Sequence, residues 1–430
     1  MKVIKILLIL LSIGCGTNAQ QPLSLTDAIS KALENNYGII VAKGNQQITE
    51  IQNNWGTAGR YPYINLSAGD NNSYNILEGD DNVTNRITGG AALNWTLFDG
   101  FSVRISKTRL EELENFSRNN TTTLVEGTIQ SVILAYYDVL LQKEKMATVE
   151  MVMELSNDRY ELEQQRKEYG TSVTYDVLQA QNAYLEDRAS YLLQEVAYKN
   201  SKRNLTYLMA EKENIDYELT EKFEPVLADY TLADLQAQMT ENNKTLQSQY
   251  INMRILENEI AAAKSAYSPR LDFAGGVSGT TTRNKYVNAD ASWSKNASLY
   301  GNFTLSWNLF SGGNRKRAVQ IAEIDRELAD VEMDDIQHDL SNQIANLFEF
   351  YEVRKELLVL ARENIEAAKL NLQISREKFE SGAINSFNFR DVQQIYLNAA
   401  QGELQAIYYF IDAQTSLLRL AGVIIQDFEQ

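Results

Sequence analysis

Apolar and polar residues alternate strictly at two places along the chain. Leu93, Trp95 and Leu97 alternate with Asn94 and Thr96. Leu299, Gly301, Phe303, Leu305, Trp307 and Leu309 alternate with Asn302, Thr304, Ser306 and Asn308. Period two with one apolar face predicts strands whose sheet has one greasy side. Each has an earlier partner strand, so two hairpins are expected. The first joins 63–73 to 87–98 around the polar loop ILEGDDNVTNR; the second joins 270–279 to 299–310 around the longer loop TTTRNKYVNADASWSKN. Strands of about 10–12 residues suit a tilted membrane crossing. Tyr61, Tyr63, Phe98, Phe101, Tyr267 and Phe310 cluster at the strand bases, where an interfacial girdle would lie. Periodicity alone also fits a soluble sheet packed on helices.

The period changes after each hairpin. From Leu340 through Ile344, Leu347 and Tyr351 to Phe379, twelve positions step by three and four in alternation, and ten of them are apolar. That is a coiled-coil seam. The matching seam in the first half contains Val132, Ala135, Val139, Met146, Val149, Met153 and Tyr160. Ile133, Leu140 and Ala147 beside it suggest a second contact side, which suits a ring of helices better than a pair. Long helices are therefore expected over about 102–169 and 314–381, with Gly170 and Gly382 as C-caps. Shorter helices return over about 172–209 and 384–420. Leading helices over about 25–58 and 232–266 stop before Tyr-Pro and Ser-Pro, because the residue before proline disfavours helix. A 68-residue helix is about 100 Å long. Leading and returning helices have almost the same combined length, so each half can form two antiparallel rods.

The chain reads as an internal duplication. LTDAISKALENN (25–36) matches LADLQAQMTENN (232–243) at an offset of 207, which also pairs Pro62 with Pro269. From Trp95 onward the offset is 212, pairing Trp95 with Trp307, Gly100 with Gly312 and Gly170 with Gly382. The five-residue difference falls between Gly69 and Trp95, at or near a loop tip where length is tolerated. The organisation is then a signal peptide (1–19), a first repeat (20–210), a linker (211–230), a second repeat (231–422) and a tail (423–430). Four strands cannot close a membrane barrel, which takes about eight. Nor can an open sheet edge face lipid. The strands must be shared between copies, and three copies supply about twelve.

Charge and leader narrow the function. The net charge is −17, which excludes the basic face that nucleic-acid binding requires. Lys2 and Lys5 precede the apolar run Ile6–Ile13, and Thr17-Asn18-Ala19 offers a cleavage site. Removing this leader would take the charge to −19. Cys15, the only cysteine, lies in LSIGCG, which resembles a lipoprotein box with its leucine one position too far upstream. Cleavage after Ala19 and lipidation at Cys15 are both open readings. No P-loop and no metal-spaced Cys/His cluster occurs, so neither an enzyme nor a cofactor is expected.

The exported two-fold repeat, the phrases WTLFDG and WNLFSGG, and the turn followed by TYDVLQAQ resemble the TolC-like outer membrane efflux protein family over nearly all of 23–422. The resemblance implies an α+β membrane protein. Its trimer would carry a 12-stranded β-barrel continuous with a periplasmic α-helical coiled-coil barrel. It implies passive export to the exterior, with a periplasmic adaptor (membrane fusion) protein, an inner-membrane pump and outer-membrane lipid as partners. It places Gly170, Thr171, Gly382 and Ala383 at adaptor-contacting tips. It assigns the entrance constriction to the region of Asp176, Asn388, Arg390 and Asp391. Asp176 and Asp391 match the family's acidic positions; Phe379, Ile384 and Asn388 depart from its pattern, so its Arg–Asp lock does not carry over. The competing class is a soluble periplasmic coiled-coil scaffold or adaptor, which leaves the paired hairpins unexplained.

Overall fold

A computed structural model describes residues 21–76, 81–211 and 217–425. The leader, with Cys15, and the last five residues lie outside the described residues. The elements run β1 (Gln21–Leu23), α1 (Leu25–Asn35), α2 (Tyr37–Gln52), β2 (Tyr63–Asn75), β3 (Asn82–Phe98), α3 (Ser102–Glu168) and α4 (Thr174–Leu208). They continue with β4 (Tyr217–Leu219), α5 (Leu232–Asn242), α6 (Lys244–Ser265), β5 (Arg270–Tyr286), β6 (Ser292–Ser306), α7 (Asn314–Glu380) and α8 (Ser386–Ala421). Two compact units result. One comprises Val41–Thr123 and Asn243–Leu340; the other comprises the described residues before Val41, Leu124–Asn242 and the described residues from Ser341 on.

The first unit holds an antiparallel sheet in the order β2-β3-β5-β6. Its cross-strand rows sort by polarity. Leu66, Ala91, Val277 and Leu299 form one row, and the next is Ser67, Gly90, Ser278 and Ser298. A sheet whose rows alternate in this way has one apolar and one polar face. The apolar face is bare: Leu66 is 84% exposed, Leu299 86% and Phe303 70%. On the polar face Ser278 and Ser298 share a hydrogen bond of 2.8 Å, and Thr96 donates to Asp272 at 2.9 Å.

The strands differ from the predicted 63–73, 87–98, 270–279 and 299–310. The residues read as the second loop are mostly strand, since Thr280–Tyr286 pairs onward and β6 begins at Ser292. Polar residues there satisfy the ladder through their backbones, which composition does not reveal. The last phrase of the second hairpin, Trp307–Phe310, lies beyond the ladder. Both hairpins share one register relative to the repeated sequence. Tyr63 pairs with Asn94, and the offsets of 207 and 212 carry this onto the observed pair Arg270 and Ser306.

Each tryptophan of the repeated phrase has the same structural task. Trp95 Nε1 donates to the Arg60 carbonyl and Trp307 Nε1 to the Tyr267 carbonyl, both at 2.9 Å. Each bond ties the strand base to the segment entering the hairpin, two residues before the proline. The chain then turns into α3 or α7 through two consecutive left-handed residues, Gly100-Phe101 (φ 71° and 69°) and Gly312-Gly313 (φ 61° and 79°).

Helices below the sheet pack side by side in the same unit. Asn53 on the segment after α2 bonds Glu114 of α3 at 2.6 Å. Between α3 and α6, Arg109 pairs with Glu259 at 3.4 Å, Glu112 with Arg254 at 2.9 Å, and Asn119 donates to Ser248 at 2.7 Å. Between α6 and α7, Gln249 donates to the Ala329 carbonyl and Lys264 pairs with Glu323, both at 3.0 Å. The lateral order is therefore α2-α3-α6-α7.

The other unit is helical. Ile129, Val132, Ile133, Tyr136, Val139 and Leu140 of α3 are buried in it. The predicted linker 211–230 contains β4, which pairs in parallel with β1. The buried Tyr136 hydroxyl donates to the Leu23 carbonyl at 2.9 Å and accepts from Thr220 N at 3.2 Å, fixing both strands on α3.

The leading helices, read from their pattern as continuous, are each broken. Asn36 ends α1, accepting from Gly38 N at 2.9 Å and donating to the Leu208 carbonyl at 3.0 Å. Asn243 caps α6, accepting from Thr245 N at 2.9 Å and Leu246 N at 3.2 Å. Asparagine side chains compete with the helix for backbone donors. The repeated ENN is thus a paired break. Asn243→Ala is expected to remove about 1 kcal/mol of stability, read as a lower thermal midpoint by circular dichroism in detergent.

Candidate functional site

The two helix-turn-helix ends lie in the helical unit. At the first, α3 closes with Gly170 at φ 74°; Gly170 N bonds the Lys167 carbonyl and Thr171 N the Arg166 carbonyl at 2.7 Å. At the second, α7 closes with Gly382 at φ 77°, and Ala383 N bonds the Lys378 carbonyl at 2.8 Å. Both glycines take the left-handed conformation that terminates a helix without a Cβ clash. Gly170, Thr171, Gly382 and Ala383 are all exposed. Asp176 sits in the first turn of α4, where a carboxylate complements the helix dipole. Asn388 donates its backbone N–H to the Asn385 side chain, the cap of α8, at 2.9 Å. Asp391, one turn further, is exposed.

The two ends pack on one another. Phe379 and Phe389 stack at 4.8 Å, with Leu155 and Leu162 of α3 against them. Arg166 lies 4.8 Å over the Phe379 ring and donates to the Phe379 carbonyl at 2.7 Å. Ser172 and Arg166 both donate to the buried Glu163, at 2.6 Å and 3.1 Å.

Arg390 makes the strongest polar contact between the hairpins. Its two guanidinium nitrogens reach both oxygens of Asp187 on α4, at 2.6 Å and 2.8 Å, and Ser156 of α3 also donates to Asp187. Bidentate Arg–carboxylate geometry adds specificity as well as energy. Asp187 and Ser156 are buried. The neighbouring Arg159 is 3% exposed and donates to the Ser386 carbonyl at 3.2 Å. Burial, and secondly the Arg390 cation, push its pKa down to about 10. Arg390 and Asp176 line one groove with Arg159, but Arg390 spends its fork on Asp187.

Asp187, Ser156, Arg159 and Glu163 were not singled out from the sequence. A signal existed: Val149, Val152, Ser156, Arg159 and Glu163 step by three and four, so polar residues occupy a packing stripe. Asp187 likewise continues the stripe Val177, Ala180 and Ala183 of α4. Among the described residues, no group of three or more His, Cys, Asp or Glu side chains could hold a metal ion.

A profile of the outer membrane efflux proteins matches residues 28–211 and 235–423, most of the chain. The chain belongs to the outer membrane efflux protein family. It is an efflux channel of the outer membrane. It is 22% identical over 412 residues to the outer membrane efflux protein BepC of Brucella suis biovar 1, covering 94% of this chain and 86% of that one. Against the "Probable outer membrane lipoprotein SilC" of Salmonella typhimurium it is 20% identical, covering 88% and 81%. Among solved structures, CusC superposes with a TM-score of 0.75 at 15% identity, covering 93% of this chain and 92% of that one. The efflux-protein fold thus places two glycine turns at the free ends of its helical hairpins, cross-linked by Arg390 and Asp187.

Proposed function

We propose that three copies of this efflux channel close one conduit and serve as the exit duct of a tripartite system. The observation that carries this reading is the four-stranded sheet, apolar on one face and open at both edges, β2 and β6. Neither edge is tolerable in lipid until another strand covers it. Three sheets bring the strand number to about twelve, within the range of closed outer-membrane barrels. In this assembly the exposed Gly170–Thr171 and Gly382–Ala383 turns meet a periplasmic adaptor, which links the duct to an inner-membrane pump. Asp176, Asn388, Arg390 and Asp391 frame the entrance. Three exposed Asp391 carboxylates would form an acidic ring around the axis, a cation-sensitive constriction.

Two measurements test this. Deleting the gene should raise intracellular accumulation of a fluorescent cationic dye, with rescue by the wild-type chain; unchanged accumulation removes the export role for that dye class. In planar bilayers, Asp391→Ala should weaken block of single-channel current by multivalent cations, and unchanged block removes Asp391 from the constriction. A soluble scaffold is disfavoured by the bare apolar face that carries Leu66, Leu299, Phe303 and Leu305. Release from membranes by buffer without detergent would overturn the channel reading. For the leader, the lipoprotein name of one relative supports testing lipidation at Cys15 by mass spectrometry of the mature N-terminus.

A further inference from the structure

The apolar face of the sheet does not stay apolar along its strands. Five successive rows, from Leu271 and Leu305 at the strand bases to Ala68, Gly89, Gly279 and Ala297, carry no charge. Charge begins in the next row, with Lys295 opposite Thr281. Arg283 follows opposite Trp293, and Lys285 stands one row further, opposite Val83. The Arg283 guanidinium lies 5.8 Å from the centre of the Trp293 ring, so the two share this face. The opposite face at that height carries the Thr84–Asn284 hydrogen bond of 2.9 Å. From Leu271 to Thr281 the strand β5 rises about 34 Å. At the tilt of a membrane barrel that is about 26 Å across the bilayer, against an apolar band about 25 Å tall. The basic residues therefore start where the hydrocarbon ends.

The three cations are crowded and unpaired. Lys285 follows Arg283 by two residues, about 7 Å along the strand. Lys295 is the diagonal neighbour of Arg283 across the ladder, about 7–8 Å away. Among the described residues none of the three makes an ion pair, whereas Arg270 on the polar face pairs with Asp272 at 2.8 Å. Asp70, in the Lys295 row, stands on β2, three strands from β6 and so about 14 Å from Lys295. In a chain of net charge −17 this is a local reversal of sign. Trp293 is 65% exposed, and Tyr74 in the Lys285 row is 60% exposed. Amphipathic rings of this kind sit at the level of lipid headgroups. The row just inside, Ala68, Gly89, Gly279 and Ala297, presents nothing larger than a methyl group, so acyl chains can lie flat on the strands there.

We infer that Arg283, Lys285, Lys295 and Trp293 form a binding site for the phosphate groups of an outer-leaflet glycolipid of the lipid A class. The helices α3 and α7 leave from the strand bases, so with the helices on the periplasmic side the hairpin ends reach the outer leaflet. Three cations this close repel one another until an anion enters between them. A phosphomonoester carries a charge of about −1.5 to −2 and three acceptor oxygens. The Arg283 fork takes two of those oxygens, and the two ammonium groups act as point charges on the remainder. A phosphodiester glycerolipid has a single charge and neutralises the cluster less well. The occupant is a membrane lipid rather than cargo in the lumen, because the cluster stands on the apolar face of the sheet and continues its lipid-facing rows.

This inference rests on the proposed duct reading, which puts the hairpin ends outside the cell, and a separate measurement tests that placement. Ala289→Cys, in the exposed turn between β5 and β6, should react with a membrane-impermeant maleimide on intact cells, with the wild-type chain as background. Labelling only after lysis overturns the placement and the lipid site with it. For the site itself, the purified full chain is titrated with bisphosphorylated lipid A, and bound lipid is counted by native mass spectrometry. R283Q, K285Q and K295Q should each weaken binding about fivefold, and the triple variant about a hundredfold, while conductance in planar bilayers persists. R86Q removes the same charge from the polar face at the same height and should leave binding unchanged. Dephosphorylated lipid A and phosphatidylglycerol should bind the wild-type chain no better than lipid A binds the triple variant. Equal lipid A binding by the wild-type and triple variant, or an equal loss in R86Q, overturns the site and leaves an externally labelled hairpin standing. Equal binding of dephosphorylated lipid A or of phosphatidylglycerol overturns the phosphate assignment. Should the triple variant fail to reach the membrane, the three single variants carry the same test.

Discussion

Arg390→Ala should destabilise the helical ends by about 3 kcal/mol or more, the usual result of removing one partner of a buried ion pair. The Asp187 side chain is 7% exposed and receives both of its charged donors from Arg390. Without them Asp187 keeps the Ser156 hydroxyl and the nearby Arg159 cation, but loses its bidentate partner. The Arg390→Leu/Asp187→Leu double variant should recover most of the loss, since apolar replacement of both partners removes the desolvation penalty together with the attraction. Limited proteolysis should show faster cutting near Gly170 and Gly382 in the single variant and near-normal cutting in the double. Equal sensitivity in both would mean that the pair's charge is not what holds the hairpins together.

The second large effect is expected at Gly100. Its φ of 71° is in the left-handed region, and a Cβ there would lie 2.5 Å from Ser268 Cβ and 2.6 Å from the Ser265 carbonyl. Strain of this kind costs about 1–3 kcal/mol, and overpacking against backbone costs a similar amount. Gly100→Val should accordingly prevent accumulation of folded channel in membranes. A variant that reaches normal levels with a normal thermal midpoint would show that the turn can rearrange. Phe101, also left-handed, packs edge-on against Phe98 at 5.4 Å, so Phe101→Gly trades strain relief for a lost aromatic contact.

Legibility differed sharply between kinds of feature. The ends of α3 and α7 were visible within a residue or two, because glycine in the left-handed cap is a local requirement. The greasy face of β6 was visible because alternation is a local property of a strand. The breaks at Asn36 and Asn243 were missed, since an apolar pattern can continue across a residue whose side chain caps the next helix. The length of β5 and β6 was underestimated because the thin, polar end of a hairpin is held by backbone ladders rather than by side chains.

Asp187 illustrates the remaining distance between pattern and site. Its place on the Val177, Ala180 and Ala183 stripe marks it as inward-facing, but nothing local names its partner; it counts because α8 brings Arg390 opposite it, 203 residues later. The repeat also offered no help, as neither residue has a charged counterpart at the offset of 212, where Asp187 meets Ala399 and Arg390 meets Leu178. Periodicity, glycine turns and duplication are properties of short stretches or of their recurrence, and they carry the fold, the family and its place in the outer membrane. Pairing of distant charges depends on which helix faces cross after packing. The Arg390–Asp187 clamp and the order α2-α3-α6-α7 therefore emerge only when the chain is folded.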